Sequence, residues 1–587
     1  MKRREMILRS LQAGAVIPFL KPIELLAKEF EDSLSSQLTG NQLTFPPVFS
    51  NGGTMTLASS NVNVWPGLDT PVVAINGSYP GPSVVIQKGS VFSANFVNNY
   101  NEPATIHWHG VDTPELMDGH PKDSIMPGES YTYTFPVISR GGTYFYHSHA
   151  DMLTAEHVFK GFAGFFIVTD PAEAGLGLPA GNFDVPLCIQ DRRSANIPQF
   201  LYNPAMPDIM HGFLGDLPLI NGTPEAFFEV SKTLYRFRLL NGSNARIYKI
   251  ALSDNRPFHI IATDGGLKDN AVQVNSFFLS PGERTEILVD FTPYNIGQNV
   301  FLKSLPFTAP GVGTYVQGTE LNLLRFDVTG TQSSGGIVPA ALPPISYYDI
   351  ADIKTTRTFT LTMNSGGGMN IHRINGLTFE MDRIDWETPQ NSLEEWKIIN
   401  ASNMLHPMHS HSHQFQVHSR NGNTVLPPED KGWKDTVLVN PFETVRVLVK
   451  FINYKGIYLF HCHNLEHEDD GMMLNFKVVD PVGINEENEN VADEYQLYQN
   501  YPNPFNPSTK ISYSIPVSAY VILKVYSELG NEITTLVNEK KNSGLHSVEF
   551  SATAGGRVLP SGIYYYKLTA SGSSGNYSEV KKMMLIK

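Results

Sequence analysis

A pattern of paired histidines, written twice, constrains this chain more than any other feature. Gly142-Thr-Tyr-Phe-Tyr-His-Ser-His149 and Gly456-Ile-Tyr-Leu-Phe-His-Cys-His463 share the spelling G-x-Y-x-aromatic-H-x-H. Each follows another such pair, His107-Trp-His109 before the first and His409-Ser-His411 before the second. Self-similarity on this scale means that one structural unit has been used twice. The residues around each pair alternate as in a β-strand, where side chains at i and i+2 share a face, so each pair presents two imidazoles together. Eight imidazoles can therefore converge where the two units meet, and imidazole is a good ligand for copper, zinc, iron or nickel. A single pair is more often ordinary surface or core histidine. With His406 and His467 beside the second copy, however, ten of the 18 histidines fall into two matched constellations, which favours a shared metal cluster.

The second copy carries Cys462 between its histidines, with His406 upstream and His467 and Met472 downstream. One thiolate, two imidazoles and a weak thioether are the ligand set of a blue-copper electron-transfer centre. Zinc competes poorly, because structural zinc sites take four strong Cys or His ligands. Strand parity then points Cys462 away from His461 and His463, so a backbone path one residue long joins two metal centres. Ser148 stands at the equivalent place in the first copy, and its hydroxyl cannot replace a soft thiolate, so that unit is expected to lack a blue copper. The other cysteine, Cys188 in Asp184-Val-Pro-Leu-Cys-Ile-Gln190, reads as a buried free thiol.

Length and charge set the frame around this site. At 587 residues the chain has room for several domains, and 48 Gly, 40 Pro and 59 Tyr plus Phe (25 and 34) favour β-rich architecture. Forty-three basic against 57 acidic residues give a net charge of −14, which makes nucleic acid a poor partner. No long apolar run predicts a transmembrane span. Residues 1–40, opening with Arg3-Arg4, read as a twin-arginine leader, the alternative being a basic unstructured terminus. The acidic, Asn-rich stretch at 481–499 reads as a linker, and 500–587 as a small β-sandwich with strands near Tyr520–Tyr526, His546–Ser551 and Gly562–Thr569.

Two resemblances follow from these residues. Residues 45–480 resemble the multicopper oxidases, most closely the bacterial three-domain branch of laccases and copper efflux oxidases. The motifs are His107-Trp-His-Gly110, His147-Ser-His149, His406-Pro-Met-His-Ser-His411 and His461-Cys-His-Asn-Leu-Glu-His467 through Met472, supported by Arg236-Phe-Arg-Leu-Leu-Asn-Gly-Ser-Asn-Ala-Arg246 and Gly432-Trp-Lys-Asp-Thr436. The resemblance implies an all-β chain with three cupredoxin-like Greek-key sandwiches, at 45–172, 176–335 and 350–480, the middle one without copper. It implies four coppers: type 1 on His406, Cys462, His467 and Met472; type 2 on His107 and His409; the type 3 pair on His109, His147, His149, His411, His461 and His463. A reducing substrate would give four electrons singly, and O2 would become two waters, with Asp118 and Glu468 relaying protons. His413 continues the His409, His411 alternation but matches no family ligand, and His372 has no partner pattern. The C-terminal segment is similar to the sorting domain of the type IX secretion system, through Asn503-Pro-Phe-Asn-Pro507, Leu559-Pro-Ser-Gly-Ile-Tyr564 and the Lys582–Lys587 tail. It implies contact with that secretion machinery and a destination at the cell surface or in the medium, by way of the periplasm; a carbohydrate-binding or stalk domain is the alternative.

Laccase-like oxidation of phenols and aminophenols is the first expectation. Residues 350–400 offer only Met363, Met369, Met381 and His372 as soft or imidazole ligands, which weakens specialised Cu(I) oxidation. Oxidation of Cu(I), Fe(II) or Mn(II) stands second. A copper nitrite reductase would leave most of the eight imidazoles unused, and a non-catalytic copper carrier would leave the whole cluster so. Composition and motifs say nothing of oligomeric state.

Overall fold

The computed structural model describes residues 40–481 and 495–586, apart from 313–314, 365–370, 501, 554–558 and 573–574. The expected leader, and most of the expected linker, lie outside the described residues. The chain divides into two units, 1–482 and 483–587.

The larger unit contains three β-sandwiches. In the first, a five-stranded sheet runs Val48–Phe49, Gly81–Gln87, Ala163–Thr169, Gly142–Ser148, Ile106–His109, and a four-stranded sheet faces it. Met55, Leu57, Phe92, Trp108, Tyr146 and Phe166 fill the space between. The second joins six- and seven-stranded sheets around Phe237, Ile250, Ile287 and Phe326. Asn41–Gln42 pairs with its Ala226–Ser231 strand, so the chain just after the expected leader packs on the second sandwich rather than the first. The third has two five-stranded sheets, one running Trp386–Pro389, Met473–Val479, Gly456–Cys462, His406–Ser410, Thr436–Val439, around Trp396, Phe460, Met472 and Phe476.

The duplicated motif folds the same way twice. Ile106–His109 lies antiparallel to Gly142–Ser148 with His107 opposite His147, and His406–Ser410 lies antiparallel to Gly456–Cys462 with His409 opposite His461. The period of two sorts the side chains as expected. Tyr144 and Tyr146 enter the first core while His147 faces out of it; Tyr458, Phe460 and Cys462 enter the third core while His461 and His463 do not. Both strands are covered on their two faces because neighbouring sandwiches pack against the outward side; Phe145, for example, meets Cys188 and Leu240 of the second sandwich.

The smaller unit is a sandwich of three- and four-stranded sheets closing over Ile511, Tyr513, Leu523, Tyr566 and Met583. Its strands Ala519–Ser527, Gly544–Ser551 and Gly562–Gly572 fall where alternation places them. Cys188 and Cys462 are both free and buried. No helix among the described residues is long and apolar enough to cross a membrane.

Candidate metal centre

The four His-x-His pairs meet between the first and third sandwiches, and all eight imidazoles are buried. Burial in this crowd of like groups holds His107, His109, His149, His409, His411 and His463 well below the ordinary histidine range, and His147 at about 4. A neutral imidazole has one N–H and one lone pair, so the nitrogen that donates decides where the lone pair points. His107 Nδ1 donates to Asp118 O at 2.8 Å and His409 Nδ1 to Asp435 O at 2.9 Å, which leaves their Nε2 lone pairs facing each other at 3.4 Å. His109 Nε2 meets Asp435 Oδ1 at 3.1 Å and His147 Nδ1 donates to Ser148 O at 2.8 Å, so His109 Nδ1 faces His147 Nε2 across 3.3 Å. His411 Nδ1 donates to Asp118 Oδ2 at 2.7 Å and His461 Nδ1 to Cys462 O at 3.1 Å; their Nε2 atoms stand 3.1 Å apart, with His149 Nε2 3.4 Å from that of His461.

Three pairs of acceptors, His107 with His409, His109 with His147 and His411 with His461, thus confront each other with no proton between them. His463, ring centre 4.8 Å from His109 and 5.2 Å from His147, has no hydrogen bond at either nitrogen. Each unsatisfied buried group costs about 1–3 kcal/mol, and facing lone pairs add repulsion. A cation in each gap converts the conflict into coordination. The residues therefore fit three ions: His107 with His409; His109 and His147 with His463; His149, His411 and His461.

On the other face of the Gly456–Cys462 strand, Cys462 Sγ lies 3.5 Å from His406 Nδ1 and 3.6 Å from His467 Nδ1, and those nitrogens are 3.2 Å apart. The rings are turned by their far nitrogens, His406 Nε2 toward Ser402 Oγ at 3.1 Å and His467 Nε2 toward Met210 O at 3.2 Å. Met472 is buried beside them, its amide donating to His467 O and its carbonyl accepting from the Cys462 amide. Burial pushes the Cys462 thiol up, so a thiolate here needs a cation. One sulfur and two imidazoles around a single point, with a thioether near, suit copper.

Family models described as multicopper oxidase match residues 56–173, 212–305 and 351–482. The laccase of Bacillus subtilis (strain 168) is 32% identical over 470 residues, covering 69% of this chain and 90% of its own. The chain belongs to the multicopper oxidase family. The oxidase is also 33% identical over 433 residues to a bilirubin oxidase from Albifimbria verrucaria, covering 70% of this chain and 74% of that one. The crystal structure of the McoA multicopper oxidase from Aquifex aeolicus superposes with a TM-score of 0.69 at 36% identity, covering 75% of this chain and 99% of that one. The all-β, cupredoxin-like architecture, the oxidoreductase class and copper as cofactor follow.

Around these donors the oxidase places groups that motif reading left without a role. Arg284, fully buried, donates to Asp435 Oδ1 at 2.7 Å, and Lys434 bridges Asp264 at 3.0 Å and Glu283 at 2.8 Å. Asp435 thereby holds His109 through its carboxylate and His409 through its carbonyl. His372 stacks on His467 at 3.7 Å between ring centres. Neither Arg284 nor His372 has a local signal, since each reaches the site through the tertiary fold alone. His413 is occupied on both nitrogens, with Ser412 O and the Ile452 amide. Asp118 accepts from Thr113 as well as His411, and burial pushes its carboxyl up to about 8. Glu468 lies 3.6 Å from His149 Nε2 and 3.1 Å from His461 Nδ1, yet neither oxygen makes a hydrogen bond.

Proposed function

We propose that the oxidase withdraws electrons singly from small organic reductants, phenols and aminophenols foremost, and passes them to O2. His406, Cys462, His467 and Met472 would hold the type 1 copper; His107 and His409 the type 2; His109, His147 and His463 one type 3 copper; His149, His411 and His461 the other. When bound, the coppers supply the one-electron redox chemistry that couples four oxidations of reductant to reduction of O2 to two waters. Cys462 binds on one face of a strand while its two chain neighbours bind on the other, so the protein itself links the donor sets covalently. Asp118 fixes the His107 and His411 rings and can deliver a proton from its carboxyl; Glu468, beside His149 and His461, can do so from the opposite side. The similarity to a laccase and a bilirubin oxidase supports organic reductants. The observation that carries the reading is the convergence of two imidazole edges on Cys462 Sγ. Copper-reconstituted protein should consume O2 with phenols and lose that with Cys462→Ser; copper-loaded protein that consumes no O2 with any reductant would refute it.

Oxidation of Cu(I), Fe(II) or Mn(II) is the second reading, favoured by His372, an additional imidazole beside the His406 and His467 donors. Oxygen uptake with each ion against phenols separates the two. The domain limits 45–172, 176–335 and 350–480 are supported by the three sandwiches and by the matched stretches. For 500–587 we propose a type IX sorting domain, supported by its motifs and by its folding as a unit apart from the oxidase. With the twin-arginine leader it would bring the protein to the cell surface or medium. Deleting 500–587 should leave active oxidase in the periplasm, which cell fractionation checks.

A further inference from the structure

A cavity of about 320 Å³ opens over the imidazole cluster. Its floor is His149 and Glu468, both buried, with His149 Nδ1 and both Glu468 oxygens free of hydrogen bonds. Its walls carry three methionines that step inward: Met152 is 58% exposed, Met381 is half-buried and Met473 is 4% exposed. Met473 sits opposite His461 on the neighbouring strand, so the innermost thioether adjoins the cluster. Seventeen methionines in 587 residues would put fewer than one among the cavity's 12 lining positions. Methionine usually fills gaps in a core. Met152 and Met381 do not: they line an open void, and Met152 does so from a left-handed backbone, φ 58°.

Thioethers select Cu(I) over the divalent ions that carboxylates and imidazoles accept. We infer that this cavity is the loading route of the imidazole cluster, in which Met152, Met381 and Met473 pass Cu(I) inward to the set formed by His149, His411 and His461. No electron or proton is exchanged in the transfer; Cu(I) leaves one set of neutral sulfurs for the next and ends on nitrogen. The inference rests on the copper reading above and goes beyond it, because it concerns how the cluster is filled rather than what it does when full. It also gives Met381 a use other than at the Cys462 site.

The test is anaerobic loading of the full-length apo-protein with Cu(I) held by a weak chelator, following copper bound per chain with time by atomic absorption. Wild type is compared with Met152→Leu/Met381→Leu, which preserves side-chain volume, and separately with Met473→Leu. Loading of the cluster from Cu(I) should slow about tenfold or more in the double variant, with loading from Cu(II) unchanged, since only the soft ion loses its ligands. The fully loaded variants should turn over as wild type does. Equal Cu(I) loading rates would overturn the inference, as would a matching slowdown with Cu(II). A fall in O2 uptake by fully loaded double variant, without slowed loading, would overturn it in favour of a passage for O2. If wild type itself never fills the cluster, the copper reading fails first, an outcome distinct from the other three.

Discussion

The strand ending at Ser148 and the strand ending at Cys462 are the same device, closed by a hydroxyl in one copy and by a thiol in the other. Each begins at glycine, carries two aromatics into a sandwich core, pairs with a His-x-His strand and sends two imidazoles out of the opposite face. On the core side they diverge. Ser148 Oγ bonds His157 Nδ1 at 2.9 Å, and His157 Nε2 meets Glu102 at 3.0 Å, a chain in which every polar atom has a partner. Cys462 Sγ faces two imidazole nitrogens and nothing else that could satisfy them. Ala104 stands in the first copy where His406 stands in the second, each two residues before the partner of Ser148 or Cys462. The first copy therefore lacks both the sulfur and one imidazole, and closes its site with hydrogen bonds. A duplicated scaffold can keep the shared half of a metal site and lose the private half, provided the vacated polar groups pair with one another.

Several substitutions would break or sharpen that contrast. Cys462→Ser, which makes the second copy like the first, should abolish oxygen uptake with every reductant. Next comes Glu468→Gln, on the helix that follows Cys462: steady-state O2 consumption should fall about 100-fold while copper content stays at the wild-type level, and lost copper would mean that Glu468 is structural. Asp435→Asn weakens the support shared by His109 and His409 and unbalances buried Arg284; metal titration should show cluster affinity lowered by about 10–100-fold. Smallest is Ser148→Ala, which strands His157 Nδ1. Denaturant unfolding should register a loss of about 1–3 kcal/mol, with turnover unchanged. Ser148→Cys should add no copper, because one imidazole and a thiol do not complete the set; an extra blue copper there would show that Ala104 is immaterial.

What could be read from the sequence was whatever a strand's period of two can carry. The eight cluster imidazoles, the opposed direction of Cys462 and the absence of a second sulfur site all follow from residue parity within two short copies, and the sandwiches bear the parity out. Groups outside the two copies left no such trace. Arg284 comes from the second sandwich, Ser402 turns His406 from a bend, and Met210 O holds His467 from a short helix. Asp435 lies inside a motif, but only its contacts reveal that one residue serves two histidines. His372 is isolated in sequence and stacked on His467 in space. The sorting of the eight imidazoles into three facing sets also needed the structure, since it depends on which ring nitrogen donates to Asp118, Asp435, Ser148 or Cys462.

The central claim is that one strand divides a sulfur site from an imidazole cluster. Native mass spectrometry of copper-loaded wild type and Cys462→Ser tests it most directly. One ion for each facing imidazole set and one at the sulfur make four coppers in wild type, and the variant should hold three, with its blue absorption gone. Zinc in place of copper, or a variant that loses the cluster ions together with the sulfur-bound one, would contradict it.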